Sequence, residues 1–145
     1  ITLVEDVATI DHHRMDEAIR LSCLDQIMAG LEQGTATVVG RGGKQFSKGQ
    51  VQRILLARAI YKNANYLIMD EPTSALDNIT AKKVIQNIEH FFAGRTIITA
   101  THKLKLFEHV DKIVMIEAGE IIEQGSFDEL IRLEGAYHKQ WLGLD

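Results

Sequence analysis

The chain has 145 residues, 46% of them hydrophobic and 25% charged, a globular composition with length enough for one core. Its formal net charge of −4 argues against a general nucleic-acid coat. One cysteine, Cys23, excludes an intrachain disulfide framework and a cysteine-based metal cluster, and no apolar run is long enough to cross a bilayer.

The opening Ile1-Thr2-Leu3-Val4-Glu5 lacks the basic and apolar regions of a signal peptide. With no initiator Met, the chain is expected to begin inside a longer protein. Residues 15–31 read as a first helix. Leu21, Leu24, Met28 and Leu31 fall on one stripe with Ile19, Cys23 and Ile27 beside it, so Cys23 is expected to be a small buried residue on that helix. Gly34, Gly40, Gly42 and Gly43 then mark a flexible loop. Ser47 followed three residues later by Gln50 is a capping-box signature, which predicts a helix start at Ser47. Ile54-Leu55-Leu56-Ala57 is apolar nearly all round and predicts a buried helix running to about residue 62.

After the turn Asn63-Ala64-Asn65 comes Tyr66-Leu67-Ile68-Met69-Asp70-Glu71-Pro72, an unbroken apolar run that ends in two carboxylates. Such a run is the pattern of a parallel strand buried on both faces by helices. Ligands of open parallel sheets bind beyond the carboxyl ends of the strands, where Asp70 and Glu71 sit. In nucleotide hydrolysis a pair of this kind can divide two tasks, one carboxylate assisting Mg²⁺ and the other orienting a water.

Asp77 is a good N-cap for the next helix. There Ala81, Val84, Ile85, Ile88, Phe91 and Phe92 form an apolar face opposite Lys82, Lys83, Gln86, Asn87 and Glu89, and Gly94 ends it. Thr96-Ile97-Ile98-Thr99-Ala100 reads as a second buried strand, with Thr101-His102-Lys103 just past its end. A short helix over residues 104–109 should lead to a strand at 112–116, and Ala118-Gly119 should turn it into a hairpin partner containing Ile121-Ile122-Glu123. Ser126 caps a helix to about residue 133, and the tail carries Tyr137 and Trp141. Strands alternating with helices indicate an α/β fold with a largely parallel sheet. At its strand ends gather Asp70-Glu71, the loop of residues 74–77, and His102. His12, His13, His90, His109 and His138 lack that context and read as surface residues.

Four motifs in one order resemble the ATPase domain of an ABC transporter, of exporter type, over essentially the whole chain. Phe46-Ser47-Lys48-Gly49-Gln50 resembles the signature, and residues 66–70 followed by Glu71 resemble the Walker B strand. Ser74-Ala75-Leu76-Asp77 resembles the D-loop, and His102 the switch histidine. The phosphate-cradling pattern G-x-x-x-x-G-K-[ST] does not occur, since Gln45 follows Gly42-Gly43-Lys44 and no strand precedes it. The resemblance therefore implies the C-terminal portion of one ABC ATPase domain, lacking Walker A and Q-loop. That is a truncated P-loop NTPase fold, α/β, with a partly parallel sheet, helices on both faces and part of the helical subdomain. Residues 1–63 would be approximately that subdomain with the signature, and residues 64–145 the second half of the catalytic core.

The resemblance also implies roles. Asp70 would assist Mg²⁺ through a water, Glu71 would orient the attacking water and accept its proton, and His102 would reach the γ-phosphate. Ser47, Lys48, Gly49 and Gln50 would face ATP held by a second ABC ATPase domain, with Ser74 and Asp77 at the same interface. Implied cofactors are ATP and Mg²⁺. Implied partners are that second domain, in a homo- or heterodimer, and a transmembrane domain on the same chain, with no nucleic acid, at the cytoplasmic face of a membrane. The implied function is ATP hydrolysis driving export. The alternative is a soluble ABC-type ATPase acting on nucleic acid or ribosomes, against which the form Ser74-Ala75-Leu76-Asp77 speaks. Alone, the 145 residues are expected to be inactive, to hold no ATP and to expose an apolar sheet edge. Three residues depart from the family pattern: Lys48 in place of a Gly, Phe46 in place of a Leu, and Val38 where exporters commonly have a Glu.

Overall fold

The structure, a computed structural model, describes residues 10–38 and 45–144. The chain forms two compact units, Ile1–Thr101 and His102–Asp145. Among the described residues no helix is long and apolar enough to cross a membrane.

In the first unit, helix α1 (His12–Leu21) starts on Asp11, whose side chain accepts the Arg14 N–H. The expected single helix over residues 15–31 is interrupted. Cys23 adopts a left-handed backbone (φ 57°), its N–H donates to Arg20 O and the Leu24 N–H reaches back to Ile19 O, a helix-ending Schellman arrangement. A short helix α2 (Asp25–Ala29) follows. The apolar stripe continued through the break because Leu24 is fully buried beyond it. Cys23 itself is half-exposed in the turn rather than buried on a helix, and what burial it has pushes its thiol pKa up. Gly34, in a turn of 3₁₀ helix (Gly34–Ala36), has φ 46°, while Gly40, Gly42 and Gly43 of the expected flexible loop lie outside the described residues.

Helix α3 (Lys48–Lys62) has the predicted capping box, with Ser47 and Gln50 bonding each other's backbone N–H. It ends where Asn63 takes up φ 54°. Ile54, Leu56 and Ala57 are buried, but Leu55 is 54% exposed, so the helix is buried on one side and not all round. Strand β1 (Tyr66–Asp70) pairs in parallel with β2 (Thr96–Ala100), in the register Tyr66↔Thr96 to Asp70↔Ala100. Between them α4 (Asn78–Phe91) is capped by Asp77 and buries Ala81, Val84, Ile85 and Ile88. Helix α1 lies against both α3 and α4.

The sheet is covered on one face only within the described residues. Leu67 and Met69 are buried, whereas Tyr66 and Ile68 are 73% and 76% exposed, with Ile98 of β2 exposed on the neighbouring strand. The unbroken apolar run is thus split by the two-residue alternation of a strand into a packed row and a bare row.

The second unit opens with a turn of 3₁₀ helix (Leu104–Leu106), shorter than the helix expected to residue 109. Strands β3 (Ile113–Glu117) and β4 (Glu120–Gly125) form the predicted antiparallel hairpin. Ala118 and Gly119 both have positive φ, the primed turn that matches strand twist. Helix α5 (Phe127–Leu133) carries a capping box of Ser126 and Glu129. Helix α6 (Ala136–Leu142), absent from the sequence expectations, is held at its start by Glu123 of β4, whose carboxylate accepts the Ala136 and Tyr137 N–H groups. Phe127 meets Tyr137 and Trp141 edge-on, with ring centroids 6.3 and 5.7 Å apart.

Candidate functional site

The carboxyl end of β1 brings together Asp70, Glu71, the loop of residues 74–77 and the start of the helix over residues 48–62. Asp70 is the last strand residue and is exposed, on the same bare row as Tyr66 and Ile68. Glu71 continues the ladder by one bond, its N–H donating to Ala100 O at 2.9 Å. It then breaks the strand with φ 44°, a left-handed backbone costing a side-chain-bearing residue about 1 kcal/mol. That change of hand turns the chain into the segment Pro72 and Thr73, both buried. The Glu71 side chain is half-buried, with Oε2 shielded from solvent.

The loop that follows is fastened to this turn. The Ser74 N–H donates to Glu71 O at 3.2 Å and the Leu76 N–H to Thr73 O at 3.1 Å. Ser74 is exposed. Asp77, also exposed, closes the loop by accepting the Thr80 N–H at 2.9 Å, and that bond to the backbone holds its pKa below the ordinary value.

Helix α3 arrives at the same loop. Gly49, in its first turn, lies so close that a Cβ there would sit 2.6 Å from Ala75 O. The capping box engages Ser47 and Gln50 with one another: the Ser47 N–H donates to Gln50 Oε1 at 2.9 Å, and the Gln50 N–H to Ser47 Oγ at 3.2 Å. By helix geometry the N–H groups of Lys48 and Gly49 have no intrahelical acceptor, leaving donors and a partial positive charge at that end. Lys48 is exposed and helical, so the position needs no glycine freedom; at position 49 the requirement for glycine is spatial.

Two residues without a role in the sequence expectations tie this arrangement together. Gln52 donates through Nε2 to Glu71 O at 2.7 Å and Ser74 Oγ at 3.2 Å, and its Oε1 accepts the Ala75 N–H at 3.1 Å. Arg53 donates to Gly49 O at 3.4 Å and to Cys23 O at 2.8 Å, joining α3 to the turn between α1 and α2. A polar Gln one turn after Gly49 on a largely apolar helix was the available signal.

His102 is the first residue of the second unit and is exposed. Among the described residues no three or more His, Cys, Asp or Glu side chains form a group able to hold a metal ion. At the end of β1 the exposed carboxylate of Asp70 is the one candidate donor among the described residues. That fits a hard cation that keeps several waters and is shared with phosphate oxygens, as Mg²⁺ is, and does not fit an all-protein cage.

The chain is similar to known proteins over most of its length. The sequence model of a family described as ABC transporter matches residues 2–74. An ATP-dependent lipid A-core flippase of Burkholderia orbicola (strain AU 1054) is 42% identical over 139 residues, covering 94% of this chain and 23% of the relative. A protein of the same name from Cupriavidus metallidurans is 42% identical over 128 residues, 88% of this chain and 22% of the relative. Among solved structures, a bacterial Atm1-family ABC exporter with ATP bound matches with a TM-score of 0.86 at 32% identity, over 92% of this chain and 24% of that one. The chain thus spans under a quarter of the length of the relatives it matches.

Proposed function

This chain belongs to the ABC transporter family, and on that premise we propose that its full-length protein binds and hydrolyses ATP to move a substrate across a membrane, as an exporter. The observation that carries the proposal is Glu71, set beside Asp70 at the strand end on a left-handed backbone and bonded on both sides of its peptide. Backbone outliers of this kind persist where surrounding structure over-determines them, and they concentrate at functional sites. The flippase relatives and the Atm1-family neighbour differ in the cargo or family their names state; exporter-type transport is what the transporter family match and the neighbour support together.

In this proposal Asp70 holds Mg²⁺ through a water, and Glu71 orients the attacking water and accepts its proton. Mg²⁺, when bound, supplies neutralisation of the charge that develops on the phosphates. His102, at the switch position, reaches the γ-phosphate. The open N-terminus of α3, with Ser47, Lys48, Gly49 and Gln50, faces ATP held by a second ABC ATPase domain, because unpaired N–H groups and the helix dipole favour an anion. Ser74 and Asp77 lie at that same contact. A transmembrane domain on the same polypeptide carries the substrate, which places the ATPase portion at the cytoplasmic face of the membrane. Glu71→Gln in the full-length protein keeps the shape and removes the base. ATP binding is expected to stay within about twofold and turnover to fall by about 10²- to 10⁴-fold. Undiminished turnover refutes the role given to Glu71.

A further inference from the structure

The Gln52 carboxamide spends both its ends on one loop. Its Nε2 meets a carbonyl oxygen (Glu71) and a hydroxyl (Ser74), and its Oε1 meets a backbone N–H (Ala75). The orientation of the amide is fixed by these partners, since a flip would set a donor against the Ala75 N–H and an acceptor against the Glu71 carbonyl. Glu71 is thereby held at two points. Its N–H is tied to Ala100 of β2, and its carbonyl receives both the Ser74 N–H and Gln52. Those bonds flank a residue whose own φ of 44° disfavours the conformation. On the other side of the loop, Gly49 brings α3 against the Ala75 carbonyl at a distance no side chain would permit. Arg53 anchors the same turn of α3 to Cys23.

We propose that Gln52 is a positioning residue: through Glu71 O, Ser74 Oγ and the Ala75 N–H, it locks the backbone of Glu71 and the loop of residues 74–77 to the first turns of α3. The proposal rests on the assignment of Glu71 as the water-orienting base. Its consequence is mechanical. The helix end that faces a second domain's nucleotide and the carboxylate that works on this domain's own nucleotide are parts of one hydrogen-bonded body. A displacement of α3 on closing is felt at Glu71 without passing through any flexible segment.

The test uses the full-length protein and three variants, with turnover measured against ATP concentration. Gln52→Met keeps the length and removes every bond; kcat is expected to fall about tenfold or more while KM for ATP stays within about twofold, since Gln52 itself is placed at no nucleotide contact. Gln52→Glu keeps the acceptor for the Ala75 N–H and loses the donor to Glu71 O. Protonation of the introduced carboxylate restores that donor, so the ratio of variant to wild-type kcat is expected to rise as pH is lowered from about 8 to about 6. A merely structural role would lower thermal stability and leave that ratio flat. A wild-type kcat in Gln52→Met, or a pH-independent ratio in Gln52→Glu, overturns the proposal. Glu71→Gln separates the two levels: if it is inactive and Gln52→Met is not impaired, only the positioning role fails, and if Glu71→Gln turns over normally, the underlying assignment fails.

Discussion

Gly49→Ala is the sharpest perturbation available at this site. The added Cβ would lie 2.6 Å from Ala75 O, 3.3 Å from Leu76 Cδ2 and 3.5 Å from the Ala75 carbonyl carbon. Leu76 can rotate, but the carbonyl must retreat by about 0.4 Å even to reach a tight contact of 3.0 Å. That retreat is resisted, because the Ala75 N–H is held by Gln52 and the Ser74 N–H by Glu71 O. Overpacking against backbone of this kind costs about 1–3 kcal/mol. The strain falls on the loop that carries Glu71, and on the role proposed for Glu71 a misplacement of a fraction of an ångström lowers turnover by about tenfold or more. In the full-length protein we expect kcat for ATP hydrolysis to fall by at least that factor, with a lowered unfolding midpoint. Gly30→Ala is the internal control. Its Cβ would meet only Gln26 O and Ile27 O at 3.6 and 3.7 Å, on a backbone with φ −86°. That change should be neutral or stabilising by up to about 1 kcal/mol, through the unfolded chain. A Gly49→Ala protein with wild-type turnover and midpoint would show the loop to be compliant and refute the reasoning.

The Asp77 and Glu129 caps give a pH dependence of definite sign. Backbone hydrogen bonds, from Thr80 and Ser126 respectively, hold both carboxyl groups below their ordinary values of 3.8 and 4.5. A depressed folded pKa contributes stability that is fully present above the ordinary value and is lost as pH falls through the folded one. The difference in unfolding midpoint between wild type and Asp77→Asn, which can still cap but cannot titrate, should therefore be constant above pH 4.5 and shrink below pH 3.8; a constant difference across that range would contradict it. In the second unit, Glu123→Gln leaves one acceptor oxygen for the two N–H groups of Ala136 and Tyr137. Amide exchange at those two positions should accelerate about tenfold or more, with β3 and β4 amides unaffected.

Local rules with a short reach were the ones that sequence carried well. Ser47-x-x-Gln50 and Ser126-x-x-Glu129 each became a capping box, Asp77 a cap, and Ala118-Gly119 a primed turn. These depend on a few adjacent residues, so no distant part of the fold could overrule them. The break at Cys23 was hidden because helix-ending left-handed positions are recognised by glycine, and here a cysteine holds one with Arg53 fastened to its carbonyl from thirty positions away. Helix α6 was missed because its N-terminal cap is a carboxylate on β4, not a neighbour in sequence. The bare row of Tyr66, Ile68 and Ile98 departs from the expectation of a strand covered on both faces, since hydrophobicity states that a residue prefers burial and not what will cover it. At the candidate site, the caps formed by Ser47, Gln50 and Asp77 were legible one by one. The bonds that join α3 to the loop were not, because the residue that makes them, Gln52, is marked by three partners spread over residues 71–75.

On its proposed role, Glu71 is also a place where durability and chemistry pull apart. With φ 44°, position 71 suits glycine or asparagine better than glutamate. A library varied at that position and selected only for resistance to heat should therefore drift toward Asn and Gly, while selection for turnover should return Glu. The extra stability of such variants, on the order of 1 kcal/mol, would measure what the fold gives up to keep a carboxylate there.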